Sequence, residues 1–277
     1  MGDFEVDTRL EDRGDGHFRA TLSRDWEIWG PNGGYVAAIA LRAAGELAKV
    51  PRPASFSGHF LSVGRFEEVD VAVRVIRAGR RAESIGVSIS QQGRAIFEGL
   101  IRTAAEGLGL EHDVAEMPDE KRPADLANVE DLRRDDEGPS FPFWNNFEVR
   151  PVWPERHLEV ERRAHPPLFR EWYRFHPRAT FDDLWLDAAR SLLLIDTATW
   201  IAAVQPHPNA AYIAPNLDVT AWFHQAEPES EWLMTDHTCA VAGAGLMGTH
   251  GRIWSESGKL LVTGGAQLFC VPRPPDL

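Results

Sequence analysis

Two cysteines, Cys239 and Cys270, are all that this 277-residue chain contains. They make neither a disulfide framework nor a metal-ligand spacing, and both read as small buried hydrophobes. No apolar run approaches the length of a membrane span, and the opening Met1-Gly-Asp-Phe-Glu5 lacks the basic and apolar regions of a signal peptide. A cytoplasmic protein is the expectation, with no membrane partner. Positive charge is scarce as well: 29 Lys and Arg stand against 42 Asp and Glu, a formal net charge of −13. That balance argues against nucleic acid or an anionic lipid surface as the main partner, since both call for basic patches. A local cluster such as Arg77, Arg80 and Arg81 can still oppose the global field and grip phosphates, although a solvated hairpin turn is the plainer reading. What the chain does have is hydrophobic residues at 43% and ten tryptophans, enough to bury one large core or two ordinary ones.

The elements come in a repeated order. In the first half, Phe18 to Ser23 alternates like a strand and Gly33-Gly34-Tyr35 leads into a helical run from Val36 to Leu47. Strand-like runs follow at Ala54–Leu61, Glu68–Ala78, Arg81–Ser90 and Ala95–Thr103. In the second half, Phe147–Pro151 and Glu171–Phe175 read as strands, and Thr180 with Asp183 offers a capping pattern for a helix from about Phe181 to Val204. Further strands are expected at Leu217–His224, Glu231–Val241, Gly245–Trp254 and Leu260–Phe269. The halves also rhyme in residues: Gly58-His-Phe-Leu sits where Ala221-Trp-Phe-His sits, and the run from Ser90 to Gly99 matches that from Ser255 to Gly264. An internal duplication with an offset near 165 residues is the economical reading. The expected units are residues 1–105 and 141–277, joined by a charged, Pro- and Ala-rich connector over 106–140. One long helix followed by consecutive antiparallel strands suggests an α+β fold in which a curved sheet wraps a central helix. That is the hotdog arrangement, and two tandem copies make a double hotdog.

Asp196 breaks the apolar run Ser191-Leu-Leu-Leu-Ile-Asp-Thr-Ala-Thr-Trp200. At helical spacing its neighbours are Leu192, Leu193, Thr199 and Trp200, so its side chain lies on the face that a soluble helix buries. Such a carboxylate must be hydrogen-bonded, neutralised or turned towards a ligand cavity. The first-half helix has no such acid. Gly33 and Gly34 can offer backbone N–H groups to a ligand or permit close packing, and packing is favoured here. Asp218 reads as a structural carboxylate, His59 and His224 as structural or surface residues, and Asp182, Asp183 and Asp187 as complements to the helix dipole. Trp29, Trp200 and Trp222 fall beside these motifs, as pocket lining or as plain core.

The stretch from Trp29 through Gly-Pro-Asn-Gly-Gly-Tyr, the run Asn216-Leu-Asp-Val-Thr-Ala-Trp-Phe-His and the closing Gly-Gly-Ala-Gln-Leu-Phe together resemble the type II, TesB-like acyl-CoA thioesterases. The resemblance covers nearly the whole chain apart from the connector. It implies a double hotdog, acyl-CoA as substrate, and hydrolysis by directly activated water with no covalent serine intermediate, metal or other cofactor. It also implies a site in the second unit: Asp196 as the helix acid, Asn216 at the strand position and Gln267 as the late glutamine. Asn216 departs from the family's Ser or Thr. An amide can hold water but cannot relay a proton, so an acyl-CoA-binding protein with little turnover is the alternative. A hotdog hydratase is a third possibility, for which no paired Asp and His is evident. An open sheet edge at each unit leads to the expectation of a homo-oligomer.

Overall fold

The computed structural model describes residues 1–133, 140–159, 161 and 163–274. The second charged run of the connector, 134–138, lies outside the described residues. In the first half, strands β1 (Glu11–Gly14) and β2 (His17–Thr21) precede helix α1 (Gly33–Leu47). Strands β3 (Pro53–Phe60), β4 (Glu68–Arg77), β5 (Ser84–Gln91) and β6 (Arg94–Thr103) follow. In the second half, β7 (Phe147–Pro151) and β8 (Leu168–Phe175) precede helices α2 (Leu184–Thr197) and α3 (Thr199–Val204). Then come the short β9 (Tyr212–Ile213), β10 (Asp218–Phe223), β11 (Leu233–Gly243), β12 (Leu246–Ser255), β13 (Leu260–Gly265), β14 (Gln267–Phe269) and β15 (Val271–Pro272).

The main sheet runs β1-β2-β4-β5-β6-β3-β10-β13-β12-β11-β8-β7, with β14 added to β12. The order β2-β4-β5-β6-β3 is repeated, mirrored about the centre, as β10-β13-β12-β11-β8. The two halves are therefore copies of one antiparallel sheet joined edge to edge at β3 and β10, where Ser57 lies opposite Thr220. The fold is a double hotdog. Alternation explains the strands: β5 alternates half-buried and buried residues, with Ile85, Val87 and Ile89 against α1. The turn from β5 to β6 takes Gln92 and Gly93 through positive φ values of 52° and 78°.

α1 and α2 pack against each other, each wrapped by its own sheet. α1 is capped by Asn32, whose side chain accepts from the Tyr35 amide. It is buried almost all round and built largely of alanine, because it is enclosed by sheet on one side and helix on the other. The helices run antiparallel, since Gly34 meets Leu193 and Asp196 at one end while Gly45 meets the Trp185 indole at the other. A Cβ on Gly34 would come 2.6 Å from the Leu193 carbonyl, so glycine is required by this close approach.

The second-half helix differs from the single segment expected from Phe181 to Val204. Asp183 caps it, accepting from the amides of Trp185 and Leu186 at 2.8 Å each, and Ala198 divides it into α2 and α3. Asp187 does more than complement the dipole. It pairs with the fully buried Arg190, 2.6 Å from one guanidinium nitrogen, and Arg190 also donates to the carbonyls of Ala179 and Ser230. The last strand is also split, at Ala266, whose carbonyl accepts from the Thr249 amide and lies 3.1 Å from its hydroxyl. Part of the connector is fastened to the second half. Glu120 pairs with Arg170 at 2.7 Å, and the Lys121 carbonyl accepts from the Trp172 indole.

Candidate active site

Asp196 ends up 3% exposed, two residues before the break in the helix at Ala198. Removal from water pushes its pKa up from 3.8 to about 6, while hydrogen bonds from Asn216 and from the Gly34 backbone pull the other way. The interrupted helix leaves backbone carbonyls to be satisfied by side chains. Asn216 Nδ2 donates to Asp196 Oδ1 at 2.7 Å and lies 2.9 Å from the Asp196 carbonyl. Thr199 Oγ1 lies 2.8 Å from the same carbonyl and 2.9 Å from Asn216 Oδ1, and its single proton serves one of the two at a time. Asn216 thus uses both its amide protons on Asp196 and keeps one lone pair of Oδ1 for a further donor.

The structure brings Asp196 and Asn216 together but not Gln267. Asn216 bridges Leu268, and β13 and β14 keep one register against β12 across Ala266, so that alternation buries Ala266 and Leu268 and leaves Gln267 exposed between them. The Gln267 backbone, not its side chain, is engaged: its amide donates to Asp218 Oδ1 at 2.9 Å and its carbonyl accepts from Leu217. Asp218 is therefore a structural carboxylate, as expected. Period-2 alternation from Val262 through Gly264 and Ala266 to Leu268 sets Gln267 on the outward face, against the placement that the family resemblance implies.

A pocket of about 490 Å³ opens beside the Asp196 and Asn216 pair. Its walls come from both halves: Asn32, Gly33, Val36 and Phe60 from the first, Thr199 and Trp200 from the second. Gly33 and Gly34 pack closely, the reading favoured from the sequence, and they also border the acid. The Gly34 amide hydrogen-bonds Asp196, and a Cβ at Gly33 would intrude 2.9 Å from both Asp196 Oδ2 and the Phe60 ring. The Gly33 amide, in the first turn of a 15-residue helix, has no hydrogen-bond partner among the described residues. Trp29 and Trp200 line the pocket, whereas Trp222 lies half exposed on the sheet and away from it. Trp29 takes an unusual backbone φ of 125°, a conformation that a bulky side chain rarely adopts. Thr199 was missed in the sequence because its hydroxyl matters only once the helix is interrupted beside it.

The remaining candidates lie elsewhere. His59 is exposed, and His224 shares a hydrogen bond with the Thr263 hydroxyl. Arg77, Arg80 and Arg81 are exposed at and beyond the end of β4. Cys239 is buried and Cys270 partly so, both as free thiols. No helix among the described residues is long and apolar enough to cross a membrane.

An α+β double hotdog with a buried acid at the seam of its two helices defines the class, and solved structures share that fold over nearly the whole chain. A putative thioesterase II from Thermobifida fusca superposes with a TM-score of 0.81 at 19% identity, covering 98% of each chain. The acyl-CoA thioesterase II TesB2 of Mycobacterium marinum does so at 0.79 and 23%, covering 99% of this chain and all of that one. A hotdog-fold protein of unknown function from Alicyclobacillus acidocaldarius reaches 0.80 at 19%, covering 98% of each. In sequence, residues 22–104 match the acyl-CoA thioesterase N-terminal domain and residues 115–271 the acyl-CoA thioesterase C-terminal domain. The chain belongs to the acyl-CoA thioesterase family. It is also 25% identical over 119 residues to human acyl-coenzyme A thioesterase 8, a match that spans 42% of this chain and 37% of the human protein.

Proposed function

We propose that this protein hydrolyses an acyl-coenzyme A thioester to a free acid and coenzyme A, by direct attack of a water molecule activated by Asp196. The single observation that carries this reading is a carboxylate with a pKa near 6, buried yet facing an apolar pocket and oriented by the Asn216 amide. Such a group is ionised at neutral pH and basic enough to take a proton from water as that water attacks the thioester carbon. The free Oδ1 lone pair of Asn216 supplies a second acceptor for the same water. The Gly33 amide, at the positive end of α1, supplies a donor where negative charge gathers on the carbonyl oxygen. Collapse of the tetrahedral adduct then expels the thiolate of coenzyme A, which takes up a proton. Gln267 is left out of this scheme because its side chain faces away from the pocket.

A second reading, acyl-CoA binding with little turnover, is favoured by one feature: no hydroxyl stands at Asn216, and both amide protons there are already committed. Thiol release from acyl-coenzyme A substrates of graded chain length, by the wild type and by Asp196→Asn, separates the two. Turnover by the wild type that falls at least about a hundredfold in the variant supports hydrolysis through Asp196. Saturable binding with no release by either protein supports the second reading.

A further inference from the structure

His237 lies on β11, beneath the helix that carries Asp196, and is fully buried. Its Nε2 is 3.0 Å from the Ile195 carbonyl, and its Nδ1 has no partner. Because a carbonyl only accepts, the proton sits on Nε2 and the ring is neutral; burial lowers its pKa from 6.5 to about 4. Half of this side chain's hydrogen-bonding capacity is thus unmet in the core, which is unfavourable unless the other half serves a purpose.

The partner explains what is gained. In an unbroken α-helix the Ile195 carbonyl would accept from the amide of residue 199. Here Ala198 interrupts the ladder, and the imidazole takes that carbonyl from below while Asn216 and Thr199 take the next one, Asp196, from the pocket side. The strand opposite is fitted to the ring: His237 pairs with Gly251, and any Cβ there would overlap the imidazole. Histidine and glycine form a matched pair whose effect falls on the residue before the acid.

We propose that His237 is a positioning residue: by holding the Ile195 carbonyl it keeps the helix interrupted after Asp196, so that the carboxylate meets Asn216 and the pocket. As far as catalysis is concerned, the inference rests on the reading of Asp196 as the base, but the placement itself can be tested without turnover. The experiment compares wild type with His237→Leu, His237→Gln and Gly251→Ala. It measures kcat and KM on the best acyl-coenzyme A, and follows the Asp196 carboxyl titration by carbon NMR, assigned with Asp196→Asn.

In His237→Leu, kcat is expected to fall by about tenfold or more with KM changed less than about twofold. The Asp196 midpoint is expected to rise as the Asn216 contact loosens. Gly251→Ala, which keeps the histidine but displaces its ring, should reproduce both effects. Gln, whose amide can reach the same carbonyl, should restore part of kcat. Folded His237→Leu with unchanged kcat and an unchanged Asp196 midpoint would overturn the proposal. If that variant does not fold, an unaltered midpoint in Gly251→Ala overturns it instead. If the wild type releases no thiol, the hydrolytic reading fails, and the Asp196 midpoints still decide whether His237 places the acid.

Discussion

Asp196 couples chemistry to stability through one proton. Its folded pKa, about 6, lies above the ordinary value of 3.8, so the folded chain binds this proton more tightly than the unfolded one between about pH 4 and 6. The contribution of this group is therefore most favourable at low pH and declines as pH rises through that window, by about 3 kcal/mol in all. Activity runs the other way, since only the ionised form is a base: kcat/KM is expected to rise with pH along a limb near pH 6. A pH–rate profile flat from pH 5 to 8 would count against Asp196 as the base. Asp196→Asn should lose activity yet melt higher than the wild type at pH 8, an advantage that shrinks by pH 4.5. Asn216→Ser should lower turnover and raise the Asp196 pKa, because the amide donates to the carboxylate and a serine at that position is too short to span the same contacts. A rate that rises in Asn216→Ser would mean that the amide is a handicap. The acid itself was legible from its misfit in an apolar run. Gln267 came from the family resemblance alone, and the strand alternation that buries Ala266 and Leu268 turns its side chain outward. Thr199 and the Gly34 amide depend on contacts between segments far apart in sequence.

Among the elements, strands were the most readable, because sheets with one buried face impose strict alternation, as in β5 with Ile85, Val87 and Ile89 inward. The helix carrying Asp196 was predicted in the right place but as one piece. Its periodicity continues across Ala198, and the interruption comes from His237, Asn216 and Thr199 competing for backbone carbonyls. The start of the same helix is held by the buried Arg190, which pairs with Asp187 and ties two loop carbonyls. Removing one partner of such a buried pair strands the other, so Arg190→Met is expected to destabilise the fold by about 3 kcal/mol or more. Denaturant melts would check this, with Asp187→Asn/Arg190→Met recovering part of the loss. Equal stability of Arg190→Met and the wild type would show that the pair is not needed.

For the whole molecule we propose 1–105 and 141–277 as the two units, with 106–140 as connector. The order of the repeated strands follows the two-fold rhyme seen in the sequence, whereas the β3 to β10 seam could be recognised only once the sheet was assembled. Neither unit is expected to fold as a stable monomer alone, since separation would bare the edges of β3 and β10 and the buried contact of α1 with α2. Expressing the two pieces separately and together tests this. Recovery of activity only on mixing is the expected result, and a folded, monomeric 1–105 would refute it. Acyl-CoA binding is expected to saturate at one equivalent per chain, measured by calorimetry with Asp196→Asn to suppress turnover. Two equivalents would show a second competent site.

The antiparallel helix pair has two ends, and they have taken different courses. At one, Gly33 and Gly34 leave space beside an acid; at the other, the Trp185 indole packs against Gly45. A pair of identical chains could not have done this, because every change in a shared gene would appear at both ends at once. Tandem fusion gives each end its own codons. One end can therefore serve as packing while the other stays open to a ligand, within a single chain.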